Sequence, residues 1–400
     1  MRHSNVRGGV IVLLVYAVMA LVDGLGVLSA RAGLAGISST LFFLWFLLLP
    51  LPVGFACNRS GSGFVMRKAL IGSAFACVLL VLGAWSKGAS VAGFCLAGMT
   101  NVCLQVAVPI WIAERFSSSR LAGVVTGGLF TRTLVAVAFP FVVSSLADWD
   151  CWWLSLVAFA VLSVVSGVAL KSSSCEKHSR HEAEALSVVL FQNVLRDPVV
   201  SLSVLAFAIA IVADVVFNLA VPDIVANRFG RSGASVGIVY AVWFGVKLPL
   251  MLAGSRLFLR YDARRFFVWG VLVSLVGAVV MLFGTEWWTY LVGVGLFAAG
   301  FANVYGHVFG AAAPRHPKEV SAVSALLVMA ISAGALASPV LASVQGLGHF
   351  ASETLVLVVI AILVPVAALI ATTRSSLGAS LAGSPPVMQG FTGALEKDTV

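Results

Sequence analysis

Twelve apolar runs, each about 17–25 residues and so about the length a helix needs to cross the hydrocarbon of a bilayer, follow one another along the chain. Six lie near residues 10–28, 40–56, 69–85, 91–113, 121–146 and 152–170, and six more near 200–221, 235–255, 266–283, 290–312, 323–344 and 354–373. This pattern predicts an all-α polytopic membrane protein. With 60% hydrophobic and only 10% charged residues, and a mean hydropathy of +1.05, the 400-residue chain is unlike any ordinary soluble protein. The net charge of +9 would suggest nucleic acid in a soluble chain, but here the basic residues sit in turns between apolar runs. Nucleic-acid binding is excluded, and the lipid bilayer is the expected surrounding.

The turns set the orientation. If the amino terminus is cytoplasmic, the outward turns hold only Arg31, Lys87, Arg228 and Arg231 among basic residues, beside Asp148, Asp150, Asp223, Glu286 and Glu353. Arg59, Arg67, Lys68, Arg115, Arg120, Arg196, Arg256, Arg264, Arg265 and Arg315 then all face inward, as the positive-inside rule requires. Both termini are expected in the cytoplasm. The polar stretch at 171–198 divides the helices into an amino-terminal half, 1–170, and a carboxy-terminal half, 199–373. Residues 374–400, rich in Ser, Gly and Pro, read as a disordered cytoplasmic tail. Arg2 and Arg7 ahead of the first run resemble a secretory signal, but the run is long and is read as a retained helix.

The two halves echo each other. Gly98-Met99-Thr100-Asn101-Val102-Cys103-Leu104-Gln105-Val106 and Gly300-Phe301-Ala302-Asn303-Val304-Tyr305-Gly306-His307-Val308 share the pattern Gly-x-x-Asn-Val-x-x-(Gln/His)-Val. Within each copy the two polar side chains are four residues apart, one helical turn, and therefore on one face. Amides in hydrocarbon need a cavity or a neighbouring helix, so the echo predicts a pair of symmetry-related polar helices lining one central site.

Four charges also fall inside apolar runs: Asp23, Arg132, Asp214 and Lys247. Each would cost about 2.5–3.5 kcal/mol at the bilayer centre without a partner or water. Two readings stand side by side. In one, Asp23 with Arg132 and Asp214 with Lys247 form ion pairs that fix helix register; in the other, the charges face solute and protons. Gly123 and Gly127, and Ala330, Gly334 and Ser338, carry the small-residue spacing of close helix packing and are expected between the halves.

Other motifs have plainer readings. Residues 233–237 fit the Gly-x-Ser-x-Gly nucleophile pattern without the strand and turn it requires, and Ser235 is expected instead to cap a helix. No nucleophile-and-base pair and no P-loop is present, so neither an enzyme nor an ATP-driven pump is expected. Cys57, Cys77, Cys95, Cys103, Cys151 and Cys175 read as small core residues. Cys175, His178 and His181 have a metal-like spacing, but a linker rich in Ser, Glu, Lys and His produces it readily, so no metal or cofactor is expected.

Several segments resemble the major facilitator superfamily, and within it the fucose-permease-like sugar:proton symporters. The turn Gly54-Phe55-Ala56-Cys57-Asn58-Arg59-Ser60-Gly61 resembles the superfamily signature after the second helix, with Asn58 where an Asp is usual. Leu104-Gln105-Val106-Ala107, Arg120-Leu121-Ala122 and Leu327-Val328-Met329-Ala330-Ile331 with Pro339 resemble the sugar-symporter group. The resemblance implies two pseudo-symmetric six-helix halves around a midplane cavity and a monomeric transporter of a small solute, most simply a sugar carried with H+. It also implies that the cavity is lined by Asp23, Asn101, Gln105, Asp214, Asn218, Asn303 and His307, with Arg132 and Lys247 as further polar positions. Asp23 matches one proton-handling carboxylate of that group, whereas Gln105 stands where the other belongs. An organic anion, amino acid or drug-like solute is the alternative, depending on whether Arg132 and Lys247 are already neutralised. A receptor or an intramembrane enzyme is a remote one.

Overall fold

The computed structural model describes residues 8–20, 44–83, 85–147, 153–173, 188–231, 233–257, 263–317, 319–343 and 350–373. Each apolar run is mainly helical over its described residues. The helices are α1 (Gly8–Ala20), α2 (Pro50–Ser60), α3 (Ser62–Leu82), α4 (Lys87–Arg115), α5 (Ser118–Ala147), α6 (Trp153–Ser173), α7 (Val188–Arg196), α8 (Pro198–Asp223), α9 (Gly233–Leu257), α10 (Ala263–Phe283), α11 (Trp287–Phe301), α12 (Val304–Ala312), α13 (Val320–Ser343) and α14 (Phe350–Thr372). Among the described residues nine helical spans are long and apolar enough to cross a membrane, α11 and α12 together forming one of them.

Local chemistry fixes the ends. The Ser86 hydroxyl accepts from the Ala89 N–H at 3.4 Å to open α4, and the Asp197 carboxylate accepts from the Val199 N–H at 2.9 Å, with Pro198 in the first helical position of α8. Gly61, at φ +87°, makes the sharp turn between α2 and α3 that the sequence signature predicts. Ser235 is not a cap, because α9 begins two residues earlier, at Gly233.

The helices pack as two sets. In the first, α3 lies against α4 and α6; in the second, α10 lies against α11 and α14, and α8 against α13 and α14. Between the sets, α5 meets α9 and α12, and α13 meets α2 and α4. Exposed apolar stripes run down α3 (Phe64, Ile71, Phe75, Val78), α6 (Val157, Val161, Val164, Val168) and α14 (Val358, Ile362, Leu369) at helical spacing. A water-soluble protein would bury such stripes, and here they are the surface offered to lipid.

Three expectations need correction. Residues 188–196 of the polar linker form the amphipathic helix α7, which buries Phe191 and Val194. Arg228 and Glu353, counted among the charges of the outward turns, are an ion pair with side chains only 19% and 4% exposed. Arg228 also donates to the carbonyls of Met281, Leu282 and Gly284 and so closes the end of α10, while a π-helical turn at Ile224–Arg228 brings it there. Finally, Gly334 packs against the Ala208 carbonyl and Ile211 of α8, inside the second set rather than between the sets. Gly127 does face the other set, near Ser255 of α9. Cys57 and Cys77 are buried free thiols and Cys95 and Cys103 half-buried ones, as expected of core residues; Cys151 and Cys175 lie outside the described residues.

Candidate functional site

Asn101 and Gln105 sit one turn apart on α4, which is continuous through them, and both are buried. Neither amide atom of Asn101, 1% exposed, meets a hydrogen-bonding partner among the described residues. Such a group costs about 1–3 kcal/mol in a protein interior.

The second copy behaves differently. The helix is interrupted at Asn303, whose backbone (φ −124°, ψ 13°) leaves the helical region between α11 and α12. The Asn303 side chain donates to the Leu250 carbonyl of α9 at 3.2 Å, a contact possible because Gly254 has no Cβ: one there would lie 2.6 Å from the amide. His307, one turn on, is buried with its ring 6.0 Å from that of Phe267 on α10. The two side chains of this copy thus contact different helices.

The intramembrane charges occupy two neighbourhoods. Arg132, half-buried on α5, lies within electrostatic reach of the phenols of Tyr16 on α1 and Tyr305 on α12, so three helices from both sets meet around it. Tyr16 packs against Gly128, where a Cβ would fall 2.2 Å from its ring, and the ring of Tyr305 lies tilted at 60° to that of Phe207 of α8, with centroids 5.1 Å apart. Sequence reasoning passed over Tyr16. Its spacing of two helical turns from Asp23 was the available signal. Asp23 itself lies outside the described residues.

Asp214 on α8 is half-buried beside Tyr240, with Oδ1 enclosed and no hydrogen-bonding partner among the described residues. Asn218 turns its amide onto its own helix, donating to the Asp214 carbonyl at 2.7 Å, and its carbonyl accepts from the Tyr240 hydroxyl at 3.0 Å. Lys247 on α9 does not pair with Asp214. Its ammonium lies 4.8 Å from the centre of the Trp243 ring, and Trp243 in turn packs against Phe217 and Phe297. Of the two readings of these charges, the register-fixing pair of Asp214 with Lys247 is therefore not formed.

A second polar cluster, not foreseen from the sequence, lies at the end of the bundle where the arginines gather. The Asp197 carboxylate accepts from Arg315 Nε at 2.7 Å and lies 3.2 Å from His316 Nε2, while His316 Nδ1 lies 3.6 Å from Glu319. Burial alone would raise the Asp197 carboxyl. Hydrogen bonds from Arg315 and the Val199 N–H, the Arg315 charge and His316 together outweigh it and hold the carboxyl below the usual range.

No protein-family model matches this sequence, and no curated protein matches it. Among solved structures the chain is similar to the E. coli fucose:proton symporter, at 13% identity and a TM-score of 0.79 over 93% of this chain and 99% of that one. It is similar to a bacterial homologue of the iron transporter ferroportin in its outward-facing state, at 12% identity and a TM-score of 0.72 over 92% and 98%. The human organic anion transporter TETRAN matches at 16% identity and a TM-score of 0.69 over 91% and 99%. At such identities the likeness is one of architecture, and it is consistent across nearly the whole length of each protein: the chain has the fold of the major facilitator superfamily.

Proposed function

We propose that the protein is a secondary transporter that moves a small polar solute, a sugar in the first instance, across a bacterial cytoplasmic membrane by alternating access with proton symport. In this reading twelve membrane-spanning helices form two pseudo-symmetric halves, 1–170 and 199–373, joined by a cytoplasmic linker at 171–198 and followed by a cytoplasmic tail at 374–400. It acts as a monomer and needs no cofactor. Solute and proton are handled by Asp23, Asn101, Gln105, Arg132, Asp214, Asn218, Lys247, Asn303 and His307. The observation that carries the reading is that Arg132, Asp214 and Lys247, well inside apolar helices, are each only partly buried. Charge at that depth is tolerated where water and solute reach it.

Uptake into proteoliposomes with sugars, amino acids and organic acids, with and without an imposed pH gradient, is the test. A sugar should accumulate only with the gradient, and Asp23→Asn should abolish accumulation while leaving exchange. Accumulation that survives Asp23→Asn removes the proton role from that residue.

One observation favours an anionic solute. Lys247 rests on the face of Trp243 instead of on Asp214, so its charge is not neutralised by a carboxylate among the described residues. An aromatic face leaves an ammonium able to bind a carboxylate or phosphate. If that reading is right, Lys247→Gln lowers uptake of the anion by about tenfold or more, an interaction of about 1.4 kcal/mol. If the solute is a neutral sugar, Lys247→Gln changes uptake by less than about twofold.

A further inference from the structure

Among the described residues, contacts between the two helix sets are found toward the end of the bundle marked by Arg59, Arg115 and Arg315. Ser324 of α13 donates to the Val106 carbonyl of α4 at 3.0 Å. A Cβ on Gly54 of α2 would lie 3.4 Å from the Ser321 carbonyl and from Ala325 of α13. Between α12 and α5 the approach at Gly306 is closer still, a Cβ there falling 2.1 Å from Thr126 Oγ1. Small residues thus bring backbones together across a seam that Ser324, 0% exposed, lies within.

Helix α7 lies across this seam. Its buried Phe191 and Val194 are three residues apart and so share one face, while Gln192, Asn193, Leu195 and Arg196 are exposed. Phe191 meets Phe55 of α2, with ring centroids 6.2 Å apart, and α7 also contacts α13. The far end of α7 is held by the second set: Asp197, the next residue, is tied to Arg315 and His316 beyond α12. One end is therefore anchored in the second set while an aromatic side chain reaches the first.

We propose that α7 is a strap that holds this seam shut, with Phe191 against Phe55 as its catch and the Asp197 cluster as its anchor. The proposal rests on the alternating-access reading, since a seam that never opens needs no strap. Because α2 and α13 belong to different sets, opening the seam separates Phe55 from Phe191, whereas Asp197 and Arg315 stay together. Loss of the catch therefore favours the open form without dismantling either set. A single aromatic pair of this kind shifts such an equilibrium by about three- to tenfold.

The test is access to the seam. Ser324→Cys in a background without the native cysteines is labelled by a membrane-impermeant maleimide from the arginine-rich side, in reconstituted protein. Phe191→Ala and Phe55→Ala should each raise the labelling rate about three- to tenfold, the double variant should add little, and Phe191→Trp should leave the rate unchanged. Gly54→Leu, which wedges α2 from α13 directly, opens the seam whatever α7 does. Labelling that rises with Gly54→Leu but not with either alanine variant overturns the strap alone. If Gly54→Leu also leaves Ser324→Cys unlabelled, the seam is static and alternating access fails with it. Monodisperse elution of each variant separates these outcomes from misfolding, and should Phe191→Ala not fold, Phe55→Ala tests the same catch from the other side.

Discussion

The crossing of α3 with α4 and the crossing of α10 with α11 hold corresponding places in the two helix sets, yet they are packed differently. In the first, a Cβ on Gly72 would meet the Thr100 methyl at 2.7 Å, and one on Gly93 would meet the Leu80 side chain at 2.8 Å. In the second, backbone atoms stand among the obstacles. A Cβ on Gly300 would fall 2.1 Å from the Gly270 carbonyl and 2.0 Å from the Ser274 hydroxyl, one on Gly277 2.4 Å from the Phe297 nitrogen, and one on Gly293 2.7 Å from the Met281 nitrogen. A side chain can change rotamer; a helix backbone cannot. The second crossing is therefore the more rigid, and the interruption at Asn303 falls three residues beyond its tightest point, at Gly300. The motif with shared Gly, Asn and Val positions is continuous in one copy and broken in the other, and the surroundings of the two differ: Leu104 stands in α4 where Gly306 of α12 lets Thr126 approach.

The comparison is sharpest for added methyl groups. Gly300→Ala drives a Cβ into the carbonyl and nitrogen of α10 and should destabilise the protein by about 3 kcal/mol or more. Gly72→Ala should cost about 1 kcal/mol or less, because Thr100 can rotate away. Thermal unfolding in detergent, followed by size-exclusion chromatography, reads both. Equal costs would mean that the two crossings are equivalent and the difference in packing has no energetic weight.

The two asparagines should respond with opposite signs. Asn101 is buried without a partner among the described residues, so Asn101→Leu removes an unsatisfied amide and should stabilise by about 1–2 kcal/mol while lowering transport if the amide serves solute. Asn303→Ala loses the bond to the Leu250 carbonyl and should cost about 1 kcal/mol. Destabilisation by both would show that Asn101 has a structural partner after all.

Much of this was legible in the sequence, and the reason is the solvent. Hydrocarbon leaves one regular solution for a long apolar run, so over the described residues the runs are mainly helical. The break at Asn303 was not legible, because the groups packed around it, Gly254 against Asn303 and Thr126 against Gly306, are distant in sequence and close only after folding. The pairing of Arg228 with Glu353 was not legible for a related reason. Counting charges in turns assumes that turns are wet, whereas the π-helical turn at Ile224–Arg228 carries the guanidinium back to the end of α10. The Asp197 cluster offered only Asp197-Pro198, a helix-start signal, with nothing to say that Arg315 and His316 would meet it.

The smallest expected effect concerns the arginines that close the two corresponding helical spans. Arg115 lies over the Trp111 ring at 4.5 Å, whereas Arg315 is bonded to the Asp197 carboxylate at 2.7 Å. Asp197 has a carboxyl held below its usual range, so the folded state binds its proton less readily than the unfolded chain does. The stabilisation is then fully present above the ordinary carboxylate value of about 4, and it is lost as the pH falls through the lowered folded-state value. Asp197→Asn should accordingly lower thermal stability near neutral pH by an amount equivalent to about 1 kcal/mol or less, since the group is near the surface. The gap between wild type and variant should close on acidification below about pH 4. A gap for Asp197→Asn that is constant down to acid pH would mean that the carboxylate charge adds nothing, leaving the Val199 cap, which an asparagine also provides, as the whole of its contribution.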